Sequence, residues 1–160
     1  MLDYYWRDYN GTIPHDALVA GQDGQHRNVF IGQAYIRNLG LIVIHITPGE
    51  REFYVAVRGV HKVHNHIRIL CGKQPDFSWV PATARDLFET LRGRHGIIGG
   101  HEDDCGPIHI GRIKHEGGVL VGKINSFIPR NAYLMYPENH WQESREIHNY
   151  EVLVYNKCTC

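Results

Sequence analysis

The sequence of 160 residues contains no stretch approaching eighteen apolar residues, so no membrane-spanning helix is expected. It has no net charge either, since seventeen Lys and Arg offset seventeen Asp and Glu, and no basic run exceeds two residues. Nucleic acid is thereby excluded as a main partner, because neutralising phosphates takes a clustered basic surface. The opening residues, Met1 to Arg7, lack the basic and apolar regions of a secretory signal. The expected setting is the cytoplasm, or release by a route that needs no signal peptide. Cysteine is sparse and forms no framework. Cys158 and Cys160 are too close for an easy bridge, and Cys71 and Cys105 do not occupy matching positions. Free thiols in a reducing compartment follow.

Catalytic signatures are also missing. There is no GxSxG elbow, no HExxH and no GxGxxG. Glu102, Asp103 and Asp104 are consecutive, and consecutive loop residues do not bracket a glycosidic bond as a carboxylate pair must. Of the twelve histidines, His61, His64 and His66 and the trio His101, His109 and His115 have no finger-like spacing. No catalytic residue, metal site or cofactor is expected, and the chain reads as a non-enzyme.

What the chain does have is an organising stretch, Gly99 to Ile124, and an older copy of it. Sliding the first half by 79 positions places Gly21 on Gly100, Asp23 on Glu102, Gly32 on Gly111, Leu41 on Leu120 and Tyr54 on Tyr133. With four extra residues in the second copy, Ile69 and Leu70 fall on Val152 and Leu153, and Trp6 and Trp79 open the two copies. Spaced identities of this kind imply an internal duplication, with repeats at 1–72 and 73–160. The connector, Gly72 to Ser78, is short, so the copies are expected to pack together or intertwine.

Short β-branched runs punctuated by seventeen glycines predict an all-β fold of antiparallel strands. Expected strands fall near 17–20, 29–36, 39–47, 52–58 and 63–71, then near 96–99, 107–114, 119–127, 131–136 and 148–156. The run 39–47 is apolar enough to be buried on both faces. Residues 4–16 hold an Asn10-Gly11 turn followed by Ile13-Pro14, and Trp6 is expected to anchor the core. One helix is expected, near 83–92 within Pro81 to Arg92, with Thr83 as its cap and Leu87, Phe88 and Leu91 at helical spacing.

If the strand bearing Lys123 folds back antiparallel, Glu102 and Lys123 return to the same end of the hairpin. A carboxylate accepts hydrogen bonds from vicinal hydroxyls and an ammonium donates to them, so such a pair suits a sugar ring. The same pair also reads as a plain surface salt bridge, contributing only ~0–1 kcal/mol to folding.

The run Gly-His-acid, then Gly-x-Pro-Ile-x-Ile-Gly-Arg, His115-Glu116-Gly117, Gly122-Lys123 and a closing Tyr150-Glu151-Val152-Leu153 resembles the DM-nine repeat family. The resemblance implies two tandem repeats over roughly 4–156, often in a homodimer, and a lectin for mannose-type glycans in pathogen recognition. It further implies sugar contacts at Glu102, with His101 beside it, and at Lys123. Where the family has Asp this chain has Glu102, one methylene longer, with Asp103 as a substitute. In the first copy the acid is Asp23 and the lysine position falls on Ile44, which leaves Asp23 bare and predicts a silent, structural repeat. Binding without calcium is expected, because a lysine within the site repels the ion. The alternative is a protein-interaction module with a decayed sugar site. Its surface would be the strand Leu39 to Thr47 or the aromatics Tyr133, Tyr136 and Trp141. Cys158 and Cys160 additionally suggest redox-linked dimerisation or lipid attachment.

Overall fold

The computed structural model describes residues 2–138 and 143–157. Trp141, Cys158 and Cys160 lie outside the described residues. The fold is all-β and antiparallel, as the composition predicts. The first half supplies β1 (Tyr4–Asp8), β2 (Val19–Gln22), β3 (Asn28–Ile36), β4 (Gly40–Ile46), β5 (Phe53–Ala56), β6 (Val60–Val63) and β7 (Ile67–Gly72). The second supplies β8 (Phe77–Thr83), β9 (His95–Gly96), β10 (Ile98–Glu102), β11 (Gly106–His115), β12 (Gly118–Ile124), β13 (Leu134–Glu138), β14 (Glu143–Ile147) and β15 (Asn149–Tyr155).

Residues 4–8, to which the sequence reading assigns no strand, form one, with Trp6 opposite Leu70 on β7. One expectation is corrected. The helix α1 (Leu87–Leu91) is a single short stretch. Residues 77–83 are instead strand β8, which pairs with β15 along its whole length. Thr83 and Asp86 do brace the approach to the helix. Asp86 Oδ1 accepts from the Thr83 N–H at 2.7 Å, and Thr83 Oγ1 accepts from the Asp86 N–H at 3.2 Å. Pro81 ends the helical reading, since it lacks an N–H and sits within β8 beyond the reach of the helix ladder. Strand β4 is buried on both faces, as its continuous apolar run predicts.

The pairing of β1 with β7 matches that of β8 with β15, and β2 with β3 matches β10 with β11. Trp6 lies opposite Leu70, and Trp79 lies opposite Leu153. Gly21 lies opposite Val29, and Gly100 opposite Ile108, each beside a bulge. The halves also interlock. Strand β10 of the second half pairs with β4 of the first, Glu102 opposite Gly40. Correspondingly, Gly118 of the second half lies against the backbone of Asp23. A side chain at Gly40 would run into the His101 carbonyl, and one at Gly118 into Asp23, so both crossings depend on glycine. The central core is shared, with Val29, Ile31, Val43 and Leu70 meeting Ile97, Ile108, Ile110, Val121 and Leu153. Each half adds a smaller core of its own on the outer face. Each fully buried Ile or Leu contributes roughly 1.5–3 kcal/mol of apolar burial, so neither half keeps its main core without the other.

Candidate functional site

Glu102 ends strand β10, and Lys123 sits on β12, two strands away across β11. Lys123 Nζ donates to Glu102 Oε2 at 2.5 Å. The side chains are 3% and 7% exposed, so the ion pair is buried and not the surface pair the sequence suggests. The pair lies where the halves cross, with Glu102 paired to Gly40 of the other half. Burial holds the Lys123 ammonium below the usual lysine range, and the hydrogen bond and charge of Glu102 oppose that shift.

The remaining candidate residues adjoin Glu102 in the chain. His101 is exposed, and its Nε2 lies 3.2 Å from Asp103 Oδ1. Asp103 follows the end of β10, and its N–H donates to the Leu39 carbonyl of the other half at 2.9 Å. Arg58 comes from the first half, at the tip of the β5–β6 hairpin, with a left-handed φ of 46°. Its guanidinium donates to the Asp103 carbonyl at 3.1 Å and approaches Cys105 Sγ at 3.7 Å. No local sequence signal marks Arg58, because only the interlock brings it there.

The equivalent position in the first half is built differently. Asp23 Oδ1 accepts from the N–H groups of Gln25 and Arg27, at 2.9 and 3.0 Å, and Oδ2 accepts from Arg27 Nε at 2.9 Å. These bonds hold the Asp23 carboxyl below its ordinary range, those to the Arg27 backbone first. Asp23 is therefore not bare, contrary to the sequence reading; its cation stands four residues on.

The counterpart of Lys123 also changes. Lys123 lies opposite Ile110, and the residue opposite the matching Ile31 is His45, not Ile44. The first hairpin turns through three residues (37–39) and the second through two (116–117), so a uniform shift of 79 misplaces β4 by one. Loop length fixes hairpin register, and the extra turn residue was the signal available in the sequence. His45 is not a cation. Its Nδ1 accepts from the Val121 N–H at 3.0 Å, which leaves the proton on Nε2, and burial lowers its pKa to about 4. Asp23, Arg27, His45, His115 and Glu116 line an open cleft of about 320 Å³ between the halves.

Of the surfaces considered for a protein partner, strand β4 lies mostly in the core, and in the aromatic group Tyr136 is 7% exposed while Tyr133 is half-buried. Cys71 is buried, which pushes its thiol up to about 11, and Cys105 is exposed. Among the described residues no group of three or more His, Cys, Asp or Glu is arranged to hold a metal ion, and no helix is long and apolar enough to cross a membrane.

An antiparallel β protein of two interlocked halves, with a carboxylate–ammonium pair held where they cross, is the class defined by fold and site. The chain belongs to the DM9 repeat family, whose model matches residues 38–139. At family level this fits a lectin-like or carbohydrate-binding role, and the family is not in general one of enzymes. No curated protein matches the sequence.

Proposed function

We propose that this protein is a non-enzymatic lectin for mannose-type glycans, acting in glycan or pathogen recognition. The observation that carries the reading is the Glu102–Lys123 pair, an acceptor and a donor 2.5 Å apart in a chain of the DM9 family. A sugar would exchange their mutual contact for hydroxyls, accepted by Glu102 and held from the other side by Lys123, with His101 and Asp103 flanking Glu102. Charge-assisted bonds of this kind contribute ~1.5–3 kcal/mol each, and two or three give roughly millimolar affinity for a single ring. The proposal includes two repeats, 1–72 and 73–160, with the first structural because Asp23 is saturated by its own loop. One site per chain makes a homodimer the economical route to avidity on a glycan surface. Its place of action is the cytoplasm, or outside the cell after release without a signal peptide.

Titration calorimetry with mannose and a branched mannose oligosaccharide, with and without chelator, tests this. One chelator-independent site per chain, lost in Lys123→Met, is the expected result. Absence of heat with every sugar sinks the reading. A second reading, an interaction module with a decayed site, is favoured by the burial of the pair, each partner already satisfying the other.

A further inference from the structure

Lys123 contributes to the wall of a second cleft between the halves, of about 460 Å³. Pockets that enclose small ligands run from ~300 to ~1,000 Å³. One wall belongs to the second half. Met135 lies opposite Lys123 on β13, so their side chains share a face of the sheet, and Pro137 follows on that face. Met135 and Pro137 are half-buried, whereas Leu134 and Tyr136, which alternate with them, are core residues. The other wall belongs to the first half, where Tyr54 and Ala56 alternate on β5 with the core residues Phe53 and Val55.

The ends of this cleft carry opposite charges. Lys123 interacts with Glu102, Cys105 and Arg58. Glu50 lines the same cleft but interacts with Arg27 and Asp23, which sets it at the other end. Its backbone is pinned, since the Tyr9 hydroxyl donates to the Glu50 carbonyl at 2.9 Å and the Glu50 N–H donates to the Thr47 carbonyl at 3.2 Å. Glu50 Oε1 accepts from the Thr47 hydroxyl, and Oε2 takes no hydrogen bond from the described residues. Burial raises the Glu50 carboxyl above the ordinary glutamate range. A partly desolvated carboxylate with one oxygen unused gains from any hydroxyl donor that enters the cleft.

A molecule that suits this cleft has an acceptor for the ammonium, a hydroxyl for the Glu50 carboxylate and an apolar face for Met135 and Pro137. A chain of sugar rings has all three. We infer that the cleft extends the sugar site, and that a second ring, beyond the one at Lys123, donates a hydroxyl to Glu50 Oε2. The ligand is then an oligosaccharide, and Glu50 is a specificity residue supplied by the half whose own acid, Asp23, is already saturated. The inference rests on the sugar-binding reading and carries it from one ring to two.

The test is calorimetry with mannose, α-linked mannobioses and mannotriose on the wild type, Glu50→Gln and Glu50→Asp, with thermal midpoints measured in parallel. The wild type should bind at least one oligosaccharide about tenfold more tightly than mannose, the gain of one charge-assisted hydrogen bond. Glu50→Gln keeps an acceptor for Thr47 and removes the charge, so that advantage should shrink to about twofold. A purely structural Glu50 would lower both affinities together and keep their ratio at the wild-type value, which overturns the inference. If the midpoint shows that Glu50→Gln folds poorly, Glu50→Asp decides on the same ratio. Its carboxylate is withdrawn by one methylene, so a lost advantage supports the contact and a retained one overturns it. Equal wild-type affinity for mannose and every oligosaccharide overturns this inference alone. No wild-type binding to any sugar removes the sugar-binding reading and this subsite with it.

Discussion

Asp23 and Glu102 occupy the same place in the two halves, beside the same bulge, and they are satisfied in opposite ways. Asp23 takes its partners from within four residues of itself, by backbone N–H groups and the Arg27 side chain. Glu102 takes its partner from 21 residues away, and both groups are buried where the halves cross. Arg27 explains the split, because the second half has Gly106 at that turn position, opposite Glu102. Without a local cation the carboxylate must look across the sheet. A locally satisfied acid holds a loop; an acid satisfied at a distance ties strands together and stands where a ligand could compete.

The largest effect that would sharpen this contrast is on the buried pair. Lys123→Ala should destabilise the fold by about 3–5 kcal/mol, because it leaves Glu102 buried without its cation. The double variant Glu102→Leu, Lys123→Met should recover most of that loss in denaturant unfolding. A Lys123→Ala protein as stable as the wild type would mean that the pair is effectively exposed.

Acid comes next. His45 and His109 are both held near 4 by burial, below the ~6.5 of an unfolded histidine. Between those values the unfolded chain binds more protons, so stability is complete above about pH 6.5 and falls as pH drops towards 4. Each group costs up to about 3 kcal/mol at the acid end. His45→Gln should flatten part of the slope in thermal midpoints measured from pH 7 to 4.5, and an unaltered slope would remove His45 from the account.

Trp79 is half-buried against the shared core and carries the Arg112 guanidinium 4.6 Å above its ring. Trp79→Ala should cost about 2–3 kcal/mol, less than a fully buried Trp. Unchanged stability with lost sugar binding would instead make this ring a stacking platform.

The smallest effect is expected at Asp23. Asp23→Asn should leave sugar affinity and binding stoichiometry unchanged in calorimetry. A loss of binding there would show that the first half carries a working site and would erase the difference between the two halves.

The strand content, the doubly buried β4 and the matched glycines were legible in the sequence, because alternation, β-branching and turn residues are local properties. The strands at 4–8 and 77–83 were not. Each depends on a closing strand more than sixty residues away, and the Asn10-Gly11 turn and Pro81 dominated the local pattern. The site was half legible. Glu102 and Lys123 could be selected as a matched donor and acceptor, yet their burial could not, since Glu102 meets Gly40 only once the halves cross. His45 was missed through one extra turn residue, and Arg58 through having no local pattern at all.

By itself, then, the sequence determined an all-β chain with an acid at one position in both halves and a lysine in only one. Only the tertiary structure decided which acid is solvated by its own loop and which is buried on a lysine. The physical reason is that desolvation is collective. A carboxylate's surroundings are set by every strand beside it, and in this protein one of those strands, β4, comes from the opposite half.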